Sequence, residues 1–370
     1  MPTRLLEAML DCAATSAAAA VPLEAVPIGE KVRVLTDPTT YPGDETRIDV
    51  KETHFSWVFL TNAHAYKLKK PVRNGDFDFR SIAARRRNAL AEVRLNRRVS
   101  RGVYLGVVPL CRTGAGKLQL GDGGEPVDWL VCMTRLDADK MLDRRLAAGN
   151  WRYAELEALA HRLARFFVTA RTAHVSGATY VRVLHRELYC ALAVLEEADS
   201  AGLSHAAAAL IRRLRAFVVR HRHLFYERVA GRRIVDGHGD LRPEHIYLSG
   251  SPQIIDCLEF SDDLRWLDPV SEIAFLGLEC SRIGATPIEA YLLRRYRERT
   301  GEASPADLFA FYKALNALIR ARLAVQHIAE PGLRTRQDWL DRAASYVATA
   351  KIQLPKLGRR HTRALGIPKG

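Results

Sequence analysis

No Cys-x-x-Cys pair occurs among the six cysteines, Cys12, Cys111, Cys132, Cys190, Cys257 and Cys280. Their scatter excludes a zinc ribbon or a disulfide framework and reads as small buried hydrophobes. No apolar stretch approaches the roughly 20 residues of a membrane helix, so no membrane partner is expected. The alanine-rich start, residues 1–30, is interrupted by Glu7 and Asp11 and reads as a short amphipathic helix plus a loop rather than a leader. A cytoplasmic protein is the expectation. Internal repeats and long low-complexity linkers are also missing. Acid is the scarcer charge, 42 Asp and Glu against 56 Lys and Arg, for a net charge of +14. No RNP-type aromatic motif or zinc finger accompanies this excess, and Arg85-Arg86-Arg87, Arg94, Arg97, Arg98 and Arg101 spread around a predicted helix. The charge therefore reads as a solvated arginine-rich surface rather than a nucleic-acid footprint. The basic tail, 351–370, reads as a frayed end.

What is present is ordinary in bulk: 370 residues, 48% hydrophobic and 26% charged, enough for two lobes with separate cores. From about Arg33 to Thr134 the signals are mostly β. Runs at Arg47–Glu52, Trp57–Thr61 and Ala65–Lys69 predict three strands, with Asn62-Ala63-His64 short enough for a hairpin. A helix is expected from about Ser81 to Val99, on Ile82, Leu90 and Val93. Val103–Leu110 and Trp129–Met133 read as two further strands. From Asn150, a credible N-cap, the pattern turns helical, with Leu156, Leu159, Leu163, Phe166 and Phe167 on one face. Ser304-Pro305-Ala306 marks another helix start and Pro331-Gly332 its end. Trp339, Ala343, Tyr346, Val347 and Ala350 form the stripe of a last helix.

The most informative segment is His238-Gly239-Asp240-Leu241-Arg242-Pro243-Glu244-His245-Ile246, followed by Ile254-Ile255-Asp256-Cys257. An isolated turn aspartate is usually a cap or a turn former. Here two are bracketed by short β-like runs, and a hairpin would hold both carboxylates at one end. Phosphoryl transfer needs such a pair, one acid for the acceptor hydroxyl and one for the metal that neutralises the triphosphate.

The run resembles the Asp-Leu-Lys-Pro-Glu-Asn loop of protein kinases. With His-Gly in front it resembles more closely the aminoglycoside phosphotransferase branch of the kinase-like superfamily, His-Gly-Asp-Leu-x-Pro-x-Asn-Ile then Ile-Asp. His245 stands where that pattern has asparagine. The segments Glu52–Leu60 and Tyr66-Lys67-Leu68-Lys69-Lys70-Pro71 resemble an uncharacterised bacterial branch of phosphotransferases. Some members of that branch carry an added C-terminal P-loop kinase domain, which this sequence is expected to be without.

The resemblance implies an α+β, protein-kinase-like two-lobe fold: a small antiparallel β lobe with one helix (31–134) and a larger, mainly helical lobe (135–350). The lobes would join near Met133–Leu142, with a catalytic hairpin at 236–260 on the floor of a cleft between them. Ala65-x-Lys67 resembles the third-strand lysine that reaches the nucleotide phosphates, with Lys69, on the same face, as the alternative. Glu92, the only acid from Ser81 to Ser100, is the expected partner of that lysine. Thr53–Ser56 falls at the phosphate-covering loop; it has no glycine, which leaves backbone amides and Ser56 for contact. Met133 and Arg135 fall where the joining segment meets adenine. Asp240 is the expected base and Arg242 the group that steadies the phosphoryl in transit. Asp256 is the expected metal ligand. His245 is either a second ligand or a hydrogen-bonding spacer, and His238 a structural imidazole beneath the loop. Gly114-Ala115-Gly116-Lys117 lacks the rest of a Walker A motif and reads as a hairpin tip.

Between Cys257 and Cys280 six acids stand against one arginine. This segment contains Asp268-Pro269-Val270-Ser271-Glu272, similar to a structural element of the family, and is either structural or a lure for a cationic acceptor. The expectation is an ATP-dependent phosphotransferase with a divalent metal, magnesium or manganese, acting on a hydroxyl of a small molecule. The alternative is a nucleotide-binding pseudokinase, and the oligomeric state is left open.

Overall fold

The computed structural model describes residues 26–43, 45–74, 77–198, 200–329 and 335–357. The expected N-terminal helix, the Pro331-Gly332 stop and most of the basic tail lie outside them. The chain divides into two compact units, one comprising residues up to Lys140 together with Gln253–Asp262, the other Met141–Pro252 and the chain from Asp263.

The first unit is built on a six-stranded antiparallel sheet, in the order β1-β2-β3-β6-β4-β5. Its strands are β1 (Asp49–Glu52), β2 (Ser56–Leu60), β3 (His64–Lys69), β4 (Tyr104–Arg112), β5 (Leu118–Leu120) and β6 (Glu125–Thr134). The short β5 was not expected. It pairs with the end of β4 across the Gly114–Lys117 turn, the hairpin tip read from sequence. Alternation divides β3. Tyr66 and Leu68 join Phe59, Leu110 and Leu130 in the core that Val26 and Leu35 close from the side of α1 (Ile28–Thr36). Ala65, Lys67 and Lys69 take the other face, opposite Leu60, Val58 and Ser56 of β2.

Helix α2 (Ile82–Asn96) starts at Ser81, whose hydroxyl accepts from the Ala84 N–H at 3.2 Å. Its buried face only partly matches the apolar one read from sequence, since Val93 is buried but Leu90 is 49% exposed. Arg85, Asn88, Ala89, Glu92, Val93 and Asn96 are buried, spaced by three and four along one stripe. Arg85, one of the arginines read as solvated, donates to Asp128 from Nε at 2.8 Å and from Nη2 at 2.9 Å. Lys31 of α1 donates to the same carboxylate at 2.7 Å, and all three side chains are fully buried.

The second unit is helical: α3 (Leu142–Ala147), α4 (Tyr153–Thr169), α5 (Gly177–Glu197), α6 (Ala201–Arg220), α7 (Arg222–Ala230), α8 (Pro269–Arg282), α9 (Pro287–Thr300), α10 (Ala306–Gln326) and α11 (Arg336–Gln353). Helix α4 begins three residues after the expected cap Asn150, because Glu155 reaches back to accept from the Arg152 N–H at 2.8 Å. Helix α8 is buried almost throughout and begins at Asp268, which accepts from the Val270 N–H at 3.0 Å. Asp268 also takes two hydrogen bonds from Arg228 of α7, at 2.7 and 2.8 Å, while Arg228 reaches Glu302 at 2.7 and 2.9 Å. No helix among the described residues is long and apolar enough to cross a membrane.

Asp128 is shared by two buried cations, so removing it takes a carboxylate from both at once. Asp128→Ala is expected to cost about 3–5 kcal/mol, measured as a lower urea midpoint for the sheet-containing unit; a shift below 1 kcal/mol would refute the pairing.

Candidate functional site

In the first unit, β3 and α2 bring a lysine and an acid together from sequence positions 25 apart. Lys67 Nζ donates to Glu92 Oε1 at 2.8 Å and to Asp256 Oδ1 at 2.7 Å. Burial alone would depress the Lys67 ammonium; the carboxylates of Asp256, Glu92 and Glu259 outweigh it and hold the lysine well above its ordinary value. Burial pushes Glu92 the opposite way, upward, and the two lysines counter it. Lys69, two residues on, lies 3.5 Å from Glu92 Oε2 and donates to Glu259 at 2.6 Å. Both lysines thus face the same carboxylate, but only Lys67 is also bonded to Asp256.

The backbone at Asp256 is left-handed, φ 62°, a conformation uncommon outside glycine that Asn and Asp tolerate best. Two side chains hold it there. The Tyr104 hydroxyl of β4 accepts from the Asp256 N–H at 3.0 Å. Asn96, at the last turn of α2, accepts from the Cys257 N–H at 2.9 Å and anchors its own amide to the Glu92 carbonyl. Burial raises the Tyr104 phenol well above its usual range, with the Glu92 and Asp256 charges adding to the effect, so it stays protonated. Ser56 pairs with Lys69 across β2 and β3; its hydroxyl is buried with no hydrogen-bond partner among the described residues.

In the second unit, the strand Val235–Asp236 pairs with Trp266–Leu267 and leads into the motif loop. Glu272 of α8 organises the entry, accepting from the His238 N–H at 2.9 Å and from the Gly239 N–H at 2.5 Å. A Cβ on Gly237 would lie 2.6 Å from that carboxylate, and Gly239 has φ 87°, so glycine is required at both positions. His238 is fully buried and its Nδ1 accepts from the Asp240 N–H at 3.3 Å, the bracing role expected of it. Asp240 Oδ2 forms an ion pair with Arg242 Nε at 3.0 Å, and Arg242 also meets Glu244 at 2.9 Å. His245 Nδ1 lies 2.9 Å from the Asp240 carbonyl, an acceptor, so that nitrogen carries the proton and Nε2 is left to accept from Arg242 at 3.2 Å.

No protein-family model matches the sequence. Uncharacterised proteins of Mycobacterium tuberculosis and Mycobacterium bovis are 35% identical over 283 residues, or 76% of this chain and 55% of each relative. The chain therefore spans about half the length of these curated relatives. Among solved structures, a choline/ethanolamine kinase family protein from Mesorhizobium loti is 15% identical with a TM-score of 0.54, covering 88% of this chain and 94% of that one. A point mutant of aminoglycoside 2'-phosphotransferase-IIIa, solved with GDP, is 12% identical with a TM-score of 0.55, covering 87% and 97%. Choline kinase from Cryptosporidium parvum is 10% identical with a TM-score of 0.51, covering 89% and 95%.

The fold is that of the kinase-like phosphotransferases. Within this kinase-like fold, the residues read from sequence fall into two groups. Lys67, Glu92 and Asp256 are joined directly, and Asp240, Arg242 and His245 form one bonded loop. Met133, paired with Ala65 and Tyr104, lies on the lysine-bearing face of the sheet. Arg135 is engaged elsewhere: its N–H donates to Ala63, and its guanidinium holds Thr61 at 2.7 Å and Asp49 at 3.2 Å. Tyr104, Asn96, Glu259 and the unpartnered Ser56 hydroxyl complete the picture. Tyr104 and Asn96 went unread because no local pattern marks them, and Glu259 was read only as one acid of the run after Cys257. Of the six acids after Cys257, four have buried side chains, with Glu259 on Lys69, Asp268 on Arg228, Glu272 on backbone amides and Glu279 on the Tyr346 hydroxyl. These four favour the structural reading.

Tyr104→Phe deletes the acceptor of a buried amide. It should cost about 1–3 kcal/mol and speed hydrogen exchange at the Asp256 amide; unchanged protection there would overturn its anchoring role.

Proposed function

We propose that the protein is an ATP-dependent phosphotransferase that moves the γ-phosphate to a hydroxyl of a small molecule. The observation that carries this reading is Lys67 bound at once to Glu92 and to the left-handed Asp256. The buried Lys67–Glu92 pair is a weak source of stability, and a partly exposed aspartate held in a left-handed conformation against it supports a functional role. The kinase-like fold supports phosphoryl transfer as the chemistry that such a triad would serve, and the GDP bound to one similar structure supports nucleotide binding.

On this reading Lys67, held by Glu92, binds the nucleotide phosphates, and the buried Ser56 hydroxyl supplies a donor to the same face. A divalent metal fits Asp256, whose side chain is 43% exposed. No three His, Cys, Asp or Glu side chains gather into a cage among the described residues. The donor set is of the kind that holds magnesium through one or two carboxylates, with phosphates and water completing the shell. When bound, such a metal neutralises charge on the phosphates. His245 is pre-oriented by the Asp240 carbonyl with Nε2 as its acceptor atom, as second-shell bonds orient ligating histidines, and it would serve once Arg242 releases it. Asp240 orients the acceptor hydroxyl and takes its proton. The acceptor oxygen bonds to the γ-phosphorus as the bond to the β,γ-bridging oxygen breaks, and Arg242 offsets charge on the phosphoryl group. The products are ADP and a phosphate monoester, and the proton passes from Asp240 to solvent.

A screen of the purified protein for ATP consumption over a metabolite panel, aminoglycosides included, tests the reading; turnover with any acceptor excludes the pseudokinase alternative. Asp240→Asn should lower turnover by about 10²–10⁴ with ATP affinity kept within a few-fold, and retention of a tenth of the activity would sink its role. Asp256→Ala should instead weaken metal–ATP binding in calorimetry. Lys67→Ala should raise the Michaelis constant for ATP, whereas Lys69→Ala, by orphaning Glu259, should show chiefly as lost stability; the reverse pattern would exchange the two. Imidazole nitrogen suits manganese better than magnesium. His245→Asn should therefore move metal preference from manganese towards magnesium, and unchanged preference would assign His245 to bracing alone.

A further inference from the structure

Beside the Asp240 loop, the second unit contains a cavity of about 250 Å³ bordered by Arg242, Glu244, Arg320, His327, Trp339 and Arg342. Its lining carries three guanidiniums against one carboxylate. Glu244 is engaged by Arg242 at 2.9 Å. Glu279, behind the wall, is divided between Arg320 at 3.5 Å and Arg282 at 3.8 Å. Arg342 has no ion-pair partner among the described residues; its Nη2 reaches only the Tyr346 hydroxyl, at 3.5 Å. Arg320 is fixed between the faces of Phe275 and Tyr346, 5.9 Å from each ring centre. Asp240 Oδ2 lies 3.0 Å from Nε of Arg242, which lines this cavity, so the candidate base adjoins the wall. One side is aromatic and apolar: Trp339 lies against His327, with ring centres 4.9 Å apart, and Leu323 adjoins them.

Like charges crowded on one wall repel each other and focus a field that concentrates ligands of the opposite sign. Arginine in particular offers paired donors to carboxylate and phosphate. A cationic alcohol would meet Arg342, and the one carboxylate in the lining, Glu244, is already engaged by Arg242. We propose that this cavity holds the phosphate acceptor and that the acceptor is a small anionic alcohol, a hydroxyl compound that also bears a phosphate or carboxylate group. Arg342 and Arg320 seat the anionic group, the Trp339 and Leu323 side takes the carbon frame, and the hydroxyl is presented to Asp240. This rests on the phosphotransferase reading above and names the substrate class of that same site. The cavity volume lies just under the small end of ligand pockets, about 300–1,000 Å³, which suits a compound of a few carbons.

The test is calorimetric titration of the full chain with glycerol 3-phosphate, glycerate, inorganic phosphate and choline, repeated on Arg342→Gln and Arg342→Lys, with ATP consumption followed for each alcohol. Glycerol 3-phosphate and glycerate separate a phosphate-bearing acceptor from a carboxylate-bearing one. At least one of the two should bind, about tenfold or more weaker in Arg342→Gln, the loss expected for one charge-assisted contact. Arg342→Lys should keep most of that affinity, and choline should not bind. Choline binding as tightly as the anions, no binding of any anion, or anion affinity unchanged in Arg342→Gln would each overturn the proposal. ATP consumption with choline alone upholds the phosphotransferase reading and overturns the anionic acceptor. Binding of an anionic alcohol that depends on Arg342, with no ATP consumed by any acceptor, upholds the anion site and overturns the phosphotransferase reading instead.

Discussion

A buried ammonium must be paired, and the first unit is arranged around that requirement at Lys67. Moving a lysine out of water costs several kcal/mol, recovered only when opposite charge and hydrogen bonds surround it. Glu92 and Asp256 supply both. Each then needs support of its own. Glu92 is fully buried and is shared with Lys69; Asp256 is held in a left-handed conformation by Tyr104 beneath its amide and by Asn96 beneath the next one. The polar stripe on the buried face of α2 follows from the same demand. Arg85, Glu92 and Asn96 lie on the sheet-facing side because the sheet and its following segment present charged and backbone groups to them.

The second unit solves a different problem, how to hold an irregular loop in place. Glu272 does so by accepting backbone N–H groups at Gly239 and His238, and Gly237 leaves room for the carboxylate. His238 and His245 brace Asp240 from its amide and its carbonyl, so the backbone at this aspartate is fixed on both sides. The Arg228, Asp268 and Glu302 network ties the start of α8, which carries Glu272, to α7. Acid in this unit is thus used largely for internal order, and the charge left over at the cavity beside the loop is positive.

Much of this was legible in the residues themselves. The motif from His238 to Ile246 with Asp256 behind it is local, and alternation along Ala65-Tyr66-Lys67-Leu68-Lys69 puts both lysines on one face whatever the rest of the chain does. Glu92 could be singled out because it is the one acid of a basic helix. These features depend on spacing over a few residues, where chemistry leaves few alternatives. Five of the six strands, the helix after the third strand and the helical character of the second unit followed from the same short-range periodicities.

Tertiary structure decided what those periodicities cannot carry. The buried face of α2 is largely polar: of the apolar stripe Ile82, Leu90 and Val93, Val93 is buried but Leu90 faces out, and burial there is set by partners such as Asp128, 43 residues from Arg85. The preference of Lys67 over Lys69 for Asp256 turns on one ion pair spanning 189 residues. Tyr104 and Asn96 are unremarkable in sequence and become anchors only when the chain returns past them. The same holds for the basic cavity, whose arginines come from the motif loop, α10 and α11. Sequence determined which groups were available and which short segments they share; pairing energies between distant charges, which exist only once burial has removed water, determined which of them meet.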